Sequence, residues 1–303
     1  MPTLRMRPVV IAVAMPFAVL AAWLAVRVVQ VFRLELDSAR PSPHAVPLPS
    51  DAAQLHLVAV EFASRDGSRL RGWYLPSRNR AAVVVVHGSD ADRRSMLPDA
   101  RILNAASFGV LLFDWPGHGE SEGAVTWGRS ERAALAGAID FVQRRPDVDS
   151  MGIGALGFSL GAYVLVQVAA RDPRIRSVAI AATPTDLPEQ TEYEYAHSNA
   201  VARAAARLAL RWSHVDLVHE RPIDRVASIA PRPLLVITSA EDPVVAPSMG
   251  RALFRAAGAP KRLLVVPGGR HGGYAGVSSE YAGVLAAWFD TLLETPATVT
   301  TYR

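Results

Sequence analysis

The sequence of 303 residues contains no cysteine. Without a thiol the chain can form no disulfide, no thiolate nucleophile and no zinc–thiolate site. The 8 histidines include no pair at the H-E-x-x-H spacing of a zinc-binding helix. We therefore expect no metal and no cofactor.

Concentrated positive charge is also missing. The formal net charge is +4, and the basic residues are scattered along the chain rather than clustered. A nucleic-acid interface requires a basic face, commonly with interleaved aromatic residues, so we expect no nucleic-acid partner. The length and the 50% apolar content suit one large α/β domain or two small ones.

One apolar run near the N-terminus is longer than is usual for a soluble protein. Residues 8–26 contain no charged or strongly polar side chain, and a helix rising about 1.5 Å per residue over this length would cross the ~30 Å core of a bilayer. We interpret residues 1–33 as an N-terminal membrane anchor, a single transmembrane helix. A cleaved signal peptide and a buried helix of a soluble protein are the alternatives. Arginines flank both ends of the run almost equally, so the side of the membrane is left open.

Residues 34–54 are rich in proline, with prolines at positions 41, 43, 47 and 49. This composition is typical of a semi-rigid extended linker and predicts a domain boundary. His44 within this segment is expected to be solvated. The remaining residues, 55–303, are predicted to form one domain.

Within that domain, apolar runs of strand length alternate with segments of helical spacing. The first two runs flank an Asp66-Gly67 turn and predict an antiparallel hairpin. The eight predicted strands are residues 57–62, 70–75, 82–86, 110–113, 153–158, 177–181, 234–238 and 262–266. The alternation predicts an α/β fold, with a mostly parallel eight-stranded sheet and helices on both faces. Residues 187–230 interrupt it and are predicted to form a helical lid insertion, because so short a segment could bury little core alone.

The sequence Gly157-Phe158-Ser159-Leu160-Gly161 lies where a predicted strand meets a predicted helix. A G-x-S-x-G pattern in this context is typical of a strained turn that exposes a nucleophilic serine hydroxyl above a sheet. The pattern alone is weak evidence, and the flanking strand and helix strengthen it. Ser159 is therefore the candidate nucleophile.

An overlapping G-x-G-x-x-G pattern is formed by Gly152, Gly154 and Gly157. A dinucleotide-binding turn needs a strand directly before the first glycine. Here residues 144–150 are charged and include Pro146, and the glycines fall inside the predicted strand. The register excludes nucleotide binding.

A serine hydroxyl needs a base oriented by a carboxylate. Of the histidines after the serine, only His271 follows the last predicted strand, in a glycine-rich loop; the others, His197, His214 and His219, lie in the predicted lid. Asp242 follows the strand 234–238 and is the candidate acid, with Glu241 as its main rival and Asp186 as a weaker one. The resulting chain order, Ser-Asp-His, is one of those in which this triad occurs.

A tetrahedral oxyanion needs preorganised N–H donors. The amide of Leu160, at the start of the helix after Ser159, is one candidate. The second is expected from the loop after the strand 82–86, and we assign it to the amide of Ser89. His87 in the same loop is expected to brace it by hydrogen bonds.

These residues together resemble the α/β-hydrolase superfamily. The match runs through His87-Gly88, the Asp-x-x-Gly-His-Gly-x-Ser pattern of residues 114–121, Ser159, Asp242 and His271. Within the superfamily the chain looks like the serine aminopeptidase, monoglyceride-lipase and BEM46-like group, some of whose members carry an N-terminal anchor. It departs from the His-Gly-Gly-Gly subgroup, because Ser89 and Asp90 follow Gly88.

The resemblance implies a serine hydrolase, esterase- or lipase-like, that cleaves a small-molecule carboxylic ester, thioester or amide; peptidase activity is a further option. The predicted anchor makes lipid-derived substrates plausible and predicts a single-pass membrane location. An acyltransferase with the same acyl-enzyme and a non-catalytic membrane protein with this fold remain as alternatives. The natural substrate and the oligomeric state do not follow from the sequence.

Overall fold

One eight-stranded sheet forms the centre of the protein in a computed structural model that describes residues 15–16, 19–30, 33, 43–196, 200–212 and 220–293. The strands are β1 (Val58–Ala63), β2 (Arg69–Leu75), β3 (Ala82–Val86), β4 (Gly109–Phe113), β5 (Ile153–Phe158), β6 (Ser177–Ala181), β7 (Leu234–Ser239) and β8 (Lys261–Val266). Their order in space is β1-β2-β4-β3-β5-β6-β7-β8. The predicted mostly parallel eight-stranded sheet is confirmed.

The antiparallel part of the sheet is confined to one edge. β1 pairs with β2 around the Asp66-Gly67 turn, where Gly67 has φ +94°. β2 also pairs antiparallel with β4, and every pair from β4 and β3 across to β8 is parallel. Parallel neighbours bring their carboxyl ends to the same edge, which is where loops can build a site.

Helices connect the strands. They are α1 (Leu97–Ala105), α2 (Arg129–Gln143), α3 (Leu160–Ala169), α4 (Leu187–Glu194), α5 (Ala200–Trp212), α6 (Pro222–Arg225), α7 (Pro247–Ala256), α8 (Tyr274–Val277) and α9 (Ser279–Phe289), with short 3-10 turns at Arg93–Met96, Val226–Ile229 and Asp290–Leu292. α4, α5 and α6 lie within the predicted lid insertion, whose described residues contain no strand.

Both faces of the sheet are covered by apolar side chains. On one face α2 and α3 pack over the sheet, with Leu135, Ile139 and Val164 fully buried. On the other face α1 and α9 do the same, with Leu103 and Leu285 fully buried. A parallel sheet needs this double cover, which explains why β3 reads as an unbroken run of valines.

The predicted membrane anchor is only partly described. Residues 1–14, 17–18 and 31–32 lie outside the described residues, whereas residues 19–30 are helical. In the described part of the chain, no helix combines the length and the apolar character that crossing a bilayer requires.

The helix formed by residues 19–30 presents apolar side chains to the surroundings. Val19 is 63% exposed and Trp23 is 53% exposed. Val28 instead packs against Tyr195 and Ala205 of the predicted lid. The helix therefore touches the domain through Val28, while most of the apolar side chains described on it are exposed.

The proline-rich segment lies against the domain where it is described, from residue 43; residues 34–42 lie outside the described part. Val46 is only 3% exposed. Farther along, the guanidinium of Arg101 on α1 pairs with the Asp51 carboxylate at 2.8 Å. The chain is thus already in contact with the domain before the first strand begins.

Candidate active site

Ser159 occupies the turn between β5 and α3. Its backbone has φ +52° and ψ −117°, a region that costs a non-glycine residue about 1–3 kcal/mol and that occurs most often at functional sites. The turn is held by its neighbours, because Ser159 N–H donates to the carbonyl of Ala181 at 2.9 Å and Tyr163 N–H donates to the carbonyl of Ser159 at 2.9 Å. The predicted strand-to-helix elbow is therefore present.

Glycine on either side of the serine permits this turn. A Cβ atom at Gly157 would lie 2.7 Å from the backbone nitrogen of Ala162. One at Gly161 would lie 2.5 Å from the carbonyl oxygen of Val86. Both contacts are with backbone, which cannot move aside as a flexible side chain would, so the elbow requires both glycines.

We expect Gly161→Ala to lower the free energy of unfolding by about 1–3 kcal/mol, as overpacking does in a well-packed interior. Urea unfolding followed by circular dichroism measures it. The matched control is Gly283→Ala in α9, where an added Cβ meets nothing within 4 Å and alanine should gain up to about 1 kcal/mol of helix propensity. Equal effects at the two positions would contradict the steric argument.

His271 and Asp242 come from different loops and form a hydrogen bond. The Nδ1 atom of His271 lies 2.9 Å from Oδ2 and 3.1 Å from Oδ1 of Asp242. A carboxylate only accepts, so Nδ1 carries the proton and Nε2 of the neutral ring is left with a free lone pair. Asp242 is 2% exposed, so this pairing occurs away from bulk water.

The Asp242 carboxylate has further partners. Its Oδ1 accepts hydrogen bonds from the backbone N–H of Val244 at 2.8 Å and of Val245 at 2.9 Å. The hydroxyl of Tyr193, on α4, donates to the Asp242 carbonyl at 2.9 Å. The predicted lid is therefore tied directly to the loop that carries the carboxylate.

The rival residues have other contacts. Asp186 caps α4 by accepting from the backbone N–H of Glu189 at 2.7 Å. The side chain of Glu241 is exposed, and no hydrogen bond joins it to His271 among the described residues. His197, His214 and His219 lie outside the described residues. Geometry thus favours Asp242 over both carboxylate rivals.

His271 also lies beside the serine elbow. Its ring centroid is 4.8 Å from that of Phe158, the residue that precedes Ser159. Gly272 permits this approach, since a Cβ there would lie 3.0 Å from the Phe158 ring. Within the described residues no hydrogen bond joins the Ser159 hydroxyl to His271, and such bonds often form only when substrate is bound.

Two elements carry the backbone amides predicted to bind the oxyanion. Leu160 begins α3, and the first N–H groups of a helix have no partner within it. Ser89 follows β3 in a loop that comes very close to the serine, because a Cβ at Gly88 would lie 3.1 Å from the Cβ of Ser159. The loop after β3 and the start of α3 therefore meet at the nucleophile.

His87 braces the loop after β3. Its Nε2 accepts from the backbone N–H of Trp115 at 3.2 Å, and its Nδ1 therefore donates to the Gly88 carbonyl at 2.7 Å. The Trp115 indole N–H donates to the His87 carbonyl at 2.8 Å. Burial lowers the pKa of His87 to about 4, so the ring is neutral at neutral pH and its bonds are those of a fixed brace.

The sequence reasoning missed three residues beside this loop: His44, Asp92 and Arg93. His44 was expected to be solvated, and its side chain is 47% exposed, but the sequence did not predict that its Nε2 lies 3.0 Å from the Asp92 carboxylate. Arg93 is a buried arginine, 3% exposed. The sequence signal for this cluster was Asp114, which directly follows a predicted buried strand, since a buried carboxylate usually has a cationic partner.

A cavity of about 380 Å³ lies beside Asp242, between α4 and the loop after β7. Tyr193 and Glu194 line it from α4, and Glu241 and Pro243 from the loop. No group of three potential metal ligands occurs in the described part of the chain.

Comparison with known proteins places the chain in a family. Residues 77–226 match the family described as serine aminopeptidase, S33. The chain is 34% identical over 239 residues to the uncharacterized protein Rv2307c of Mycobacterium tuberculosis, covering 76% of this chain and 78% of that one. It is 32% identical over 124 residues to the thiohydrolase aneE of Aspergillus aculeatus, covering 39% of each.

Among solved structures, the esterase Pf2001 of Pyrococcus furiosus has the same fold, with a TM-score of 0.69 at 20% identity. The similarity covers 84% of this chain and 100% of the esterase chain. Sheet order, elbow and sequence matches agree, and the chain therefore belongs to the α/β-hydrolase superfamily; its central region, residues 77–226, matches the serine aminopeptidase S33 family.

Proposed function

We propose that the protein is a membrane-tethered serine hydrolase that cleaves a carboxylic ester, thioester or amide through an acyl-enzyme. The observation that carries the proposal is the hydrogen bond of His271 to the buried Asp242 carboxylate beside a serine in a strained elbow. A serine hydroxyl is a poor nucleophile unless a base lies within reach and a third group orients that base.

In the proposed reaction the Oγ atom of Ser159 attacks the substrate carbonyl carbon while Nε2 of His271 takes the hydroxyl proton. His271 then gives that proton to the leaving group, and the carbon–leaving-group bond breaks to form the acyl-enzyme. Water, deprotonated by His271, attacks the acyl carbon. The bond from that carbon to Oγ of Ser159 then breaks, His271 returns the proton to Oγ, and the acid is released. Asp242 holds the imidazole in the tautomer that presents Nε2, and it stabilises the imidazolium.

The negative charge on the substrate oxygen develops only in the tetrahedral states. The amides of Leu160 and Ser89 would donate to it, with the positive end of α3 adding to the effect. Donors fixed before the reaction need no rearrangement when the charge appears. This is where most of the rate acceleration of such a site would arise.

The proposed substrate class, an acyl compound, is less specific than the proposed mechanism. The similarity to a thiohydrolase favours a thioester among the acyl substrates. The cavity beside Asp242 is bordered by Tyr193 of the predicted lid, which gives an acyl or leaving group a partly apolar wall. The apolar N-terminus favours lipid-derived substrates.

The tether would be residues 1–33. The uninterrupted apolar run of residues 8–26 supports it, as does the exposure of apolar side chains such as Trp23. Apolar surface of this extent is stable only when it is buried in lipid or in protein.

One experiment tests both the serine nucleophile and the membrane tether. The full chain is expressed, membranes are separated by centrifugation and washed at high pH, and each fraction is treated with a fluorophosphonate probe. We expect the probe in the membrane fraction, on the peptide that contains Ser159. Probe on another serine would contradict the proposed nucleophile, and labelled protein in the wash would contradict the tether.

A further inference from the structure

Arg93 is a buried cation at the end of the loop that carries Ser89. The side chain is 3% exposed, and its guanidinium donates to the carboxylates of Asp114 and Glu120. It also donates to the carbonyl of Val46 at 3.1 Å. A buried charge is tolerated only when it is paired and hydrogen-bonded, so these contacts fix both the side chain and the backbone that bears it.

Asp114 forms the socket for this arginine. It is fully buried, and it accepts hydrogen bonds from the backbone N–H of Arg93 at 2.8 Å and of Glu120 at 3.1 Å. Gly119, at φ +49°, makes room for it, because a Cβ there would lie 2.1 Å from the Asp114 carboxylate. The Asp-x-x-Gly-His-Gly-x-Ser pattern thus encodes a binding site for Arg93.

Residues 43–46, which we term the strap, close the same cluster from outside. The backbone N–H of His44 donates to the Gly119 carbonyl at 2.8 Å, and its ring contacts Asp92 at 3.0 Å. Val46 is buried and supplies the carbonyl that Arg93 contacts. The strap therefore touches both sides of the socket.

The loop after β3 is anchored at two ends, by His87 at its start and by Asp92 and Arg93 at its finish. Ser89 lies between the anchors. We propose that Arg93 is a positioning residue that, together with the strap, holds the Ser89 amide in its oxyanion-binding orientation. This inference rests on the proposed function and assigns a catalytic consequence to a segment outside the sheet.

The effect should be confined to the transition state. The oxyanion exists only in the tetrahedral states, so a displaced donor lowers kcat and leaves ground-state binding unchanged. Loss of a whole oxyanion donor costs about 10²–10³ in kcat. A loosened loop should cost no more than the lower end of that range, according to how far the amide moves.

The test compares full-chain variants His44→Ala and Arg93→Lys with the parent, using p-nitrophenyl butyrate. We expect kcat to fall about tenfold for His44→Ala and about 100-fold for Arg93→Lys, with KM within about twofold. Inhibition by a boronic acid, which mimics the tetrahedral state, should weaken by the same factors as kcat. The control Arg101→Ala breaks the ion pair with Asp51, away from the loop, and should change neither quantity.

Hydrogen exchange measured by mass spectrometry supplies a readout that does not need turnover. Faster exchange of the amides of residues 88–91 is expected in both variants but not in the control. The His44 side chain is 47% exposed, so His44→Ala should fold even where Arg93→Lys does not. Unchanged exchange in folded variants overturns the inference, as does unchanged kcat with only a lower Tm. If the parent itself hydrolyses nothing, the proposed function fails, and the exchange result still decides the role of the strap.

Discussion

Replacing Ser159 with alanine is expected to lower kcat for an activated ester by about 10⁶-fold, the loss that removal of a triad nucleophile produces. No other group in the proposed mechanism can form the acyl-enzyme. The residual rate should reflect binding and the two oxyanion donors alone. Stopped-flow release of p-nitrophenol from the purified parent and variant gives the ratio directly.

The matched control is Ser248→Ala, which removes an exposed hydroxyl on α7 and should leave kcat unchanged. Thermal unfolding of each variant establishes that it is folded. Because Ser159 holds a strained backbone, alanine at the same position keeps the strain, and we expect little change in Tm. Equal turnover by the parent and Ser159→Ala would contradict Ser159 as the nucleophile.

Asp242→Asn is expected to lower kcat by about 10⁴-fold while leaving KM nearly unchanged. The physical reason is the imidazole tautomer. An aspartate accepts from Nδ1–H of His271, whereas the asparagine amide can instead donate to Nδ1 and leave the proton on Nε2, which then cannot accept the serine proton. Steady-state kinetics across several ester chain lengths would measure the loss.

The neighbouring Glu241 offers a control that differs by one position. Glu241→Gln makes the corresponding change at an exposed side chain. Because Glu241 also lines the cavity beside Asp242, its KM can change, but kcat should stay within about threefold. The reverse result, with Glu241→Gln inactive and Asp242→Asn active, would assign the acid to the rival and contradict the geometry.

The local elements could be predicted from the sequence because each depends on a few adjacent residues. The valines of β3 indicate burial on both faces, and the Asp66-Gly67 turn indicates the hairpin. The Gly157-to-Gly161 elbow was recognisable because glycines are needed where the backbone of β5 meets α3. Chain order alone also proposed Asp242 and His271, since loops at the carboxyl ends of parallel strands meet at one edge.

The contacts that decide the site join residues far apart in the chain. His271 and Asp242 are 29 residues apart, and only the packing of β7 against β8 shows that Asp242, rather than Glu241, faces the imidazole. Arg93 and Asp114 are 21 residues apart, and no local sequence pattern predicts that Arg93 is buried. A charged side chain is normally assigned to the surface from sequence.

The sequence by itself determined the strands, the elbow and the identity of the candidate nucleophile, because apolar runs of strand length and glycine positions act through the local backbone. The tertiary structure decided which carboxylate holds His271, that the described part of the proline-rich segment lies against the domain, and that Arg93 lies under the loop bearing Ser89. Those outcomes depend on which polar groups become buried next to each other when the helices and loops pack on the sheet. A buried charge or carbonyl can form its hydrogen bond only after this packing has brought the partner within hydrogen-bond distance.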